Sequence, residues 1–233
     1  MPEVSSGEVG EVGEKAWLKR GHLLFAQECV FLRAISEFEQ LTTPDIPEVA
    51  FAGRSNVGKS SLINAVTNRR MLARVSNTPG RTKEIIQFDL GGRLTLVDLP
   101  GYGFAKVSKS VSSNWHRLIE KYLNKRPQLR RVCMLVDARH PPHASDLLMM
   151  ELLDGAAMSY AVVLTKLDKL NADQQASAIN DVQALIVDRS AAHPVVFPTS
   201  AESKVGIPEL RAHLARLANP IDKSYKVSKR GSR

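Results

Sequence analysis

The feature of this sequence that most constrains its fold is a phosphate-binding pattern around residue 56. The pattern is a glycine, any four residues and then Gly-Lys-Ser. It is matched by Gly53-Arg54-Ser55-Asn56-Val57-Gly58-Lys59-Ser60. The apolar run 49–52 precedes this pattern and a mainly apolar run, 61–66, follows it, which places it between a strand and a helix. Such a junction presents backbone N–H groups and the positive end of a helix to an anion. A chance glycine-rich turn is the alternative, and the flanking runs count against it.

Each polar residue of such a loop has an expected role. We expect Lys59 to contact the β- and γ-phosphates of a nucleotide, and the Ser60 hydroxyl to bind Mg²⁺. The other expected phosphate contacts come from Gly53, Arg54, Ser55, Asn56, Val57, Gly58 and Ser61.

Length and composition limit the class of protein. The 233 residues are 43% hydrophobic and 24% charged, which is typical of one globular domain with extensions. No apolar run approaches the ~20 residues that span a bilayer, and the N-terminus is acidic, so we expect a cytoplasmic protein with no membrane partner. The cysteines, Cys29 and Cys133, lie in apolar segments and are expected to be buried thiols. The net charge of +8 favours a polyanionic partner.

Hydrophobic patterning divides the chain into four segments. Residues 1–17 are predicted to be a disordered leader, and residues 18–47 a helix to Leu41 followed by a linker. The apolar stripe of this helix is expected to pack on the main domain, although an interaction helix is an alternative. A nucleotide-binding domain is predicted over residues 48–218 and a basic tail over 219–233.

Strands and helices alternate within the predicted domain. The runs 84–90 and 93–97, joined by Gly91-Gly92, predict an antiparallel hairpin. Further on, strands at 132–136, 161–164 and 195–198 alternate with helices at 144–158, 173–188 and 207–217, and another helix is predicted over 112–124. This order predicts an α/β fold, with a mostly parallel six-stranded sheet, one antiparallel strand and helices on both faces.

Asp98-Leu99-Pro100-Gly101 follows the second strand of the predicted hairpin. We expect Asp98 to hold Mg²⁺ through water and the Gly101 N–H to reach the γ-phosphate. Taken alone, Asp-x-x-Gly is a common turn, and its position after a strand beside the phosphate loop is what favours the functional interpretation.

Two further motifs stand at predicted strand ends and can recognise guanine. In Thr165-Lys166-Leu167-Asp168, the carboxylate can accept from guanine N1–H and the amino group, while the stem of Lys166 covers the base. Alone, this motif is equally consistent with a helix N-cap at Asp168. In Thr199-Ser200-Ala201, the Ala201 N–H can donate to guanine O6, and an ordinary turn is the alternative.

Taken in order, these motifs resemble those of translation-factor-type GTPases over residues 48–218. In finer detail, the sequences at 53–64 and 98–103, with Thr78-Pro79-Gly80-Arg81-Thr82, resemble the EngB (YihA, YsxC) family of bacterial ribosome-assembly GTPases. That family's pattern also includes the segment around Trp115, Tyr122 and Arg126.

The resemblance implies a GTP/GDP switch with Mg²⁺-dependent hydrolysis. The implied partner is the large ribosomal subunit or its precursor, through ribosomal RNA, and the implied role extends to normal cell division. Thr82 is implied to close on Mg²⁺ and the γ-phosphate beside Gly80 and Arg81; a solvated loop threonine is the alternative. Lys59, Thr82 and Gly101 are thus the residues expected to support hydrolysis.

Position 102 predicts slow hydrolysis. Small GTPases commonly have a water-orienting glutamine there, and this chain has Tyr102, whose phenol cannot act as an amide does. Relatives of the family imply that Asn56 can coordinate K⁺, which would supply positive charge; an asparagine that only closes the loop turn is the alternative. Thr165 stands where many GTPases have asparagine, a change that the EngB pattern accepts.

A run of cations lies between residues 103 and 131, with Glu120 as the acid among them. With Trp115 and Tyr122 interleaved, it predicts an RNA-facing surface that responds to GTP, and a solvated face is the alternative. The cations are Lys106, Lys109, Arg117, Lys121, Lys125, Arg126, Arg130 and Arg131.

Two other classes of function stay open. A metabolic P-loop kinase needs an acceptor pocket and usually a lid, and no insertion for a lid follows the fourth strand. A GTPase that scaffolds membranes or filaments predicts an apolar anchor or heptads, and the sequence contains neither. We expect a monomer.

Overall fold

A computed structural model describes residues 6–41, 45–69, 72–73, 84–102 and 109–220, without the side chains of 6–12 and 109–116. Short 3₁₀ turns lie at Phe38–Gln40 and Leu167–Lys169. The helices and strands are α1 (Ser6–Phe25), β1 (Cys29–Ile35), β2 (Glu48–Gly53), α2 (Lys59–Thr67), β3 (Ile85–Leu90), β4 (Leu94–Asp98), α3 (Lys109–Lys125), β5 (Leu129–Asp137), α4 (Ala144–Gly155), β6 (Tyr160–Thr165), α5 (Ala172–Ile186), β7 (Phe197–Pro198) and α6 (Ile207–Ala215).

The strands of the described residues form one seven-stranded sheet in the order β1-β3-β4-β2-β5-β6-β7. β3 runs antiparallel to both of its neighbours, β1 and β4, and the other pairings are parallel. The predicted α/β fold with one antiparallel strand is therefore confirmed. The predicted number of six strands is wrong, because β1 lies in the segment that was predicted to be helical.

The helix predicted over residues 18–41 is wrong in its second half. Cys29–Ile35 is an edge strand that pairs with β3, with a register shift between Phe31 and Arg33. Its apolar residues are spaced in a way that fits a helix, but pairing with β3 overrides this local pattern. α1 begins at Ser6, so the predicted disordered leader is wrong from that residue onward, and α1 is stabilised by packing on α6.

Two apolar cores lie on opposite faces of the sheet. Val49 and Phe51 of β2 face the core beneath α1, α2 and α6, and Ala50 faces the core beneath α3, α4 and α5. Because the carboxyl ends of parallel strands meet at one edge of a sheet, the segments 53–58, 98–101, 165–168 and 199–201 are brought together there.

Cys29 and Cys133 are both buried and free, as expected from the sequence. Burial raises the pKa of each thiol to about 12, so both stay protonated at neutral pH. Among the described residues, no helix has the length and apolar character needed to cross a membrane.

Candidate nucleotide site

The loop of residues 54–58 connects β2 to α2. All six residues of β2 are buried, so the loop leaves the sheet from a fixed position. Gly58 is the N-cap of α2 with φ of 105°, a conformation that residues with a Cβ rarely adopt. The structure therefore places a helix N-terminus, with Lys59 as its first residue, directly after the loop.

Lys59 and Asp98 form an ion pair beside this helix N-terminus. Their side chains are only 12% and 7% exposed, respectively. The Leu99 N–H donates to the Phe51 carbonyl at 3.1 Å, which fixes the end of β4 against β2. A cation and a carboxylate are thus held side by side where the loop, α2 and β4 meet.

The residues present here fit a Mg²⁺ ion that is shared with a nucleotide. Ser60 follows Lys59 in α2 and supplies a hydroxyl, and Asp98 supplies a carboxylate. Mg²⁺ prefers such oxygen donors and takes few of them from the protein when phosphates and water complete its shell. Among the described residues, no cluster of three or more His, Cys, Asp or Glu could hold a metal ion.

The loop after β4 lies directly against the phosphate loop. The Ser55 N–H donates to the Tyr102 carbonyl and the Tyr102 N–H donates to the Gly53 carbonyl, both at 3.3 Å. A Cβ added to Gly101 would lie 2.8 Å from Ser55 Oγ and 3.3 Å from the Ser55 backbone nitrogen, so a larger residue would have to displace the Ser55 side chain. Residues 101–102 and the phosphate loop are thus in direct backbone contact.

The Tyr102 side chain belongs to the core beneath α3 and α4. Its hydroxyl donates to Asp146 Oδ1 at 2.9 Å, and burial together with that carboxylate raises the pKa of Tyr102 far above its usual value. The phenol at the position that follows Asp-x-x-Gly is therefore engaged by α4.

The loops after β6 and β7 are joined by one short hydrogen bond. Ser200 Oγ donates to Asp168 Oδ1 at 2.6 Å, and this bond is the main reason that the pKa of Asp168 is lowered. Lys169 Nζ lies 3.1 Å from the other carboxylate oxygen. Asp168 is thus an ionised and oriented acceptor at neutral pH. It does not cap α5, because the N-cap of that helix is Asn171.

Thr165 and Lys166 connect the loop after β6 to the phosphate loop. The buried Thr165 hydroxyl donates to the Val57 carbonyl at 2.6 Å, and Lys166 Nζ donates to the Asn56 carbonyl at 2.6 Å. The hydrogen bond to Val57 is a structural reason for a hydroxyl side chain at position 165. Asn56 itself adopts φ of 63°, a left-handed conformation that asparagine tolerates.

The sequence did not predict a role for Asp137, which ends β5. Its Oδ2 accepts from Lys166 Nζ at 2.8 Å, and Arg139 forms a second ion pair with it. Burial raises the pKa of Asp137, but the hydrogen bonds from Arg139 and Lys166 outweigh burial and lower it to about 2. β5 lies between β2 and β6, whose ends lead into the phosphate loop and the Thr165–Asp168 motif. A carboxylate at the end of β5 is therefore the sequence feature that could have indicated Asp137.

The predicted switch residues Gly80, Arg81 and Thr82 lie outside the described residues. The chain is described again at Leu72–Ala73, where buried Asn64 of α2 makes two hydrogen bonds of 2.9 Å with the backbone of Ala73. This contact, which the sequence did not predict, fixes the chain to α2 shortly before the predicted switch.

Two members of the predicted RNA-facing surface are buried, and that prediction is wrong for them. Arg126 donates to the Glu48 carboxylate through Nε at 2.9 Å and Nη2 at 2.5 Å, and the Tyr122 hydroxyl donates to it at 2.8 Å. Gln87 Nε2 completes the set at 2.9 Å. A fully buried carboxylate at the start of β2 requires such partners, so Arg126 and Tyr122 serve the core.

The remaining cations of α3 form what we call the α3 surface, namely Arg117, Lys121 and Lys125. They are spaced by four residues and so share one face of the helix. Lys121 pairs with Glu39 at 2.9 Å, and Arg117 and Lys125 are exposed. Arg130 is exposed beyond α3, whereas half-buried Arg131 contacts His213. Lys106 lies outside the described residues, as do the side chains of Lys109 and Trp115.

Comparison with known proteins identifies the family. A family model described as 50S ribosome-binding GTPase matches residues 48–166. The probable GTP-binding protein EngB of Gluconobacter oxydans is 50% identical over 210 residues, covering 90% of this chain and 92% of that protein. Its namesake in Hyphomonas neptunium is 52% identical over 204 residues, covering 86% and 93%. The chain belongs to the EngB family.

This EngB-family protein is therefore a GTP-binding P-loop GTPase. A solved structure of a probable GTP-binding protein EngB, 24% identical, has a TM-score of 0.59 and covers 73% of this chain and 97% of that one. Era in complex with MgGDPNP and nucleotides of 16S ribosomal RNA, 17% identical, has a TM-score of 0.61 and covers 78% of this chain and 59% of Era. At these identities the likeness shows the fold alone.

Proposed function

We propose that this EngB-family protein is a cytoplasmic GTP/GDP switch that binds the large ribosomal subunit or its precursor and acts in its assembly. The description of the matching family as a 50S ribosome-binding GTPase supports this partner. The basic α3 surface supports contact with ribosomal RNA, because phosphates attract such side chains. A requirement for cell division would follow from the need for ribosomes.

The observation that carries the switch is the backbone pairing of residues 101–102 with the phosphate loop. In the proposal, the Gly101 N–H donates to the γ-phosphate and so holds this loop in its GTP position. α3 begins seven residues after Tyr102, at Lys109, so a shift of the loop reaches the helix that bears the α3 surface.

The phosphate side of the proposed site uses Lys59 for the β- and γ-phosphates. Ser60, Asp98 and Thr82 would hold Mg²⁺, which neutralises phosphate charge when bound. The amides of residues 53–61 would surround the phosphates, and the family resemblance adds Gly80 and Arg81 to the residues that would bind them. We propose slow hydrolysis, because the phenol of Tyr102 hydrogen-bonds to Asp146 and offers no amide to orient water.

The base side of the proposed site uses Asp168 to read guanine. Its carboxylate, oriented by Ser200, would accept from N1–H and the amino group, and the Ala201 N–H would donate to O6. The stem of Lys166 would cover the base, with Thr165 and Thr199 supporting the two loops through their backbone contacts.

Co-sedimentation with purified large ribosomal subunits at near-physiological salt tests the proposal. We expect the most binding with a non-hydrolysable GTP analogue, and less with GDP or without nucleotide. The Lys59→Ala variant is the control, since its binding should not respond to added nucleotide. Equal binding of the unchanged protein in all three conditions would contradict the switch.

A further inference from the structure

A second group of cations lies on the face of the sheet opposite α3, where α1 packs against α6. Trp17 of α1 is flanked by two guanidinium groups, with Arg20 Cζ at 4.5 Å and Arg216 Cζ at 4.9 Å from its ring centroid. Both arginines are exposed, and Trp17 is partly buried. An indole holds a stacked guanidinium in place without neutralising it and leaves its N–H edge available to acceptors. We call these three residues the α1–α6 cluster.

No carboxylate neutralises this cluster in the part of the chain that the structure describes. Neither Arg20 nor Arg216 forms an ion pair there, whereas other arginines, such as Arg189 with Asp154, do. Arg131 of β5 adds a further positive charge close by, and its Nη1 lies 2.8 Å from His213 Nε2 of α6. The Nε of Arg131 is buried, with no hydrogen-bond partner among the described residues.

The two histidines beside the cluster respond to its positive charge. Burial, followed by the charges of Arg131, His193 and Arg216, lowers the pKa of His213 to about 3. The pKa of His193 is also lowered, by burial first and also by Arg131 and Arg216. Burial is the larger cause for both histidines, and the charge effects show that Arg131 and Arg216 lie near enough to act on the same two side chains.

The α1–α6 cluster is supported by α1, α6 and α2, and not by the loop after β4. Leu24 of α1 and Leu210 of α6 belong to the same buried core. α6 is attached in turn to α2, because Arg211 Nε donates to the Val66 carbonyl at 2.7 Å and Nη2 to the Ala65 carbonyl at 3.1 Å. Since none of these contacts involves residues 98–102 or α3, we expect the cluster to keep its geometry in both nucleotide states.

We propose that the α1–α6 cluster is a second RNA-binding surface, which contacts the phosphodiester backbone of ribosomal RNA whichever nucleotide is bound. The inference rests on the proposed function and adds a nucleotide-independent anchor to the nucleotide-dependent α3 surface. Planar guanidinium groups pair with phosphate and carboxylate oxygens alike, but they also stack on unpaired bases, and this stacking favours RNA over an acidic protein. From Pro220 the chain continues into residues 221–233, which carry five Lys or Arg and one acid, Asp222.

The test compares two double variants of the full chain that each remove two exposed cations, on opposite faces of the sheet. These are Arg20→Ala with Arg216→Ala, and Arg117→Ala with Lys125→Ala. The probes are purified large subunits and protein-free large-subunit RNA, titrated with GTP analogue and with GDP over a range of salt. We expect the first variant to bind about tenfold more weakly in both nucleotide states, with the salt slope reduced by about 2. The second should mainly shrink the difference between the two states.

Two further variants separate charge from stacking. Trp17→Leu keeps both charges and should weaken binding only about threefold, because the guanidinium groups lose their support. Arg20→Lys with Arg216→Lys keeps charge without the planar fork and should lie between the unchanged protein and the alanine variant. An unaltered GDP affinity and melting temperature show that each variant is folded.

Each outcome decides between the two proposals. If the Arg20/Arg216 variant binds as tightly as the unchanged protein, the proposed second RNA-binding surface is wrong. The proposed switch still holds in that case if the difference between GTP analogue and GDP depends on the α3 surface. If the variant loses binding to subunits but not to protein-free RNA, the contact is with an acidic protein and the RNA anchor is wrong. If the unchanged protein binds subunits in no state, the proposed function itself fails.

Discussion

The loop after β6 and the loop after β4 both contact the phosphate loop, but they are attached to it in different ways. We call the loops after β6 and β7 the base loops. On the base side, Thr165 and Lys166 donate to phosphate-loop carbonyls at 2.6 Å. On the other side, residues 101–102 are attached by two backbone hydrogen bonds of 3.3 Å, and Asp98 at the end of β4 forms an ion pair with Lys59.

The difference separates recognition from switching. On the base side, short side-chain hydrogen bonds from buried Thr165 and partly exposed Lys166 hold a geometry that need not change between GTP and GDP. On the phosphate side, the Lys59 ammonium pairs with the Asp98 carboxylate. Phosphate also attracts the ammonium and Mg²⁺ also attracts the carboxylate, so a bound nucleotide with Mg²⁺ can replace this ion pair. In the proposed function, the base loops therefore stay fixed, and the nucleotide response is concentrated in the loop after β4.

The largest effect is expected from Lys59→Ala, which removes the cation from the exchangeable side. Nucleotide affinity should fall about 10³-fold, because two charge-assisted phosphate contacts are lost, while the melting temperature stays near that of the unchanged protein. A titration with labelled GDP measures the loss. The control is Lys169→Ala, which removes an exposed cation near the site and should retain affinity within a few-fold. Unchanged GDP affinity in Lys59→Ala would refute its assignment.

The next effect tests the fixed side. Asp168→Asn replaces an acceptor with a group that also donates, which opposes guanine N1–H and suits xanthine. We expect GTP affinity to fall about 10²-fold and XTP affinity to rise. Competition binding with both nucleotides measures the change, and a variant that still strongly prefers GTP would show that another residue reads the base.

A matched pair of variants compares the two sides directly. Gly101→Ala places a Cβ against Ser55 and should weaken binding of a GTP analogue about tenfold, with GDP affinity little changed. Thr165→Val removes the donor to the Val57 carbonyl and should weaken both nucleotides by a similar factor of about ten. Calorimetry with each nucleotide distinguishes the two patterns, and identical patterns would remove the contrast between the sides.

The smallest effect concerns Asn56 and K⁺. If K⁺ supplies charge during hydrolysis, replacing KCl with NaCl should slow GTP turnover several-fold, and Asn56→Ala should abolish the difference between the salts. Its left-handed backbone already gives Asn56 a structural role, so Asn56→Gly, which keeps that conformation, is the control for the loop. Equal turnover in both salts would leave Asn56 with the structural role alone.

The sequence predicted the loops of the site better than it predicted what supports them. The motifs at 53–60, 98–101 and 165–168 are local and stand at strand ends, so alternation of strands and helices is enough to bring them together. The links from Asp137 to Lys166 and from Ser200 to Asp168 join segments distant in sequence, and no local pattern marks them.

Two errors came from properties that local patterns do not encode. Cys29–Ile35 has apolar spacing that fits a helix, and only its pairing with β3 makes it a strand. Arg126 is predicted to be a surface cation because the run of cations around it is typical of an exposed face. Its partner Glu48 is buried, and an acidic residue directly before an apolar run gives no sign of burial. Both cases show tertiary context overriding a local preference.

Hydrogen–deuterium exchange of the full chain, with GDP and with a non-hydrolysable GTP analogue, tests the central claim most directly. The amides of residues 99–102 and the start of α3 should exchange more slowly with the GTP analogue, because the γ-phosphate holds that loop. Peptides covering 165–168 and 199–201 should be protected equally by both nucleotides. Equal protection of residues 99–102 in the two states, or a change confined to the base loops, would contradict the account.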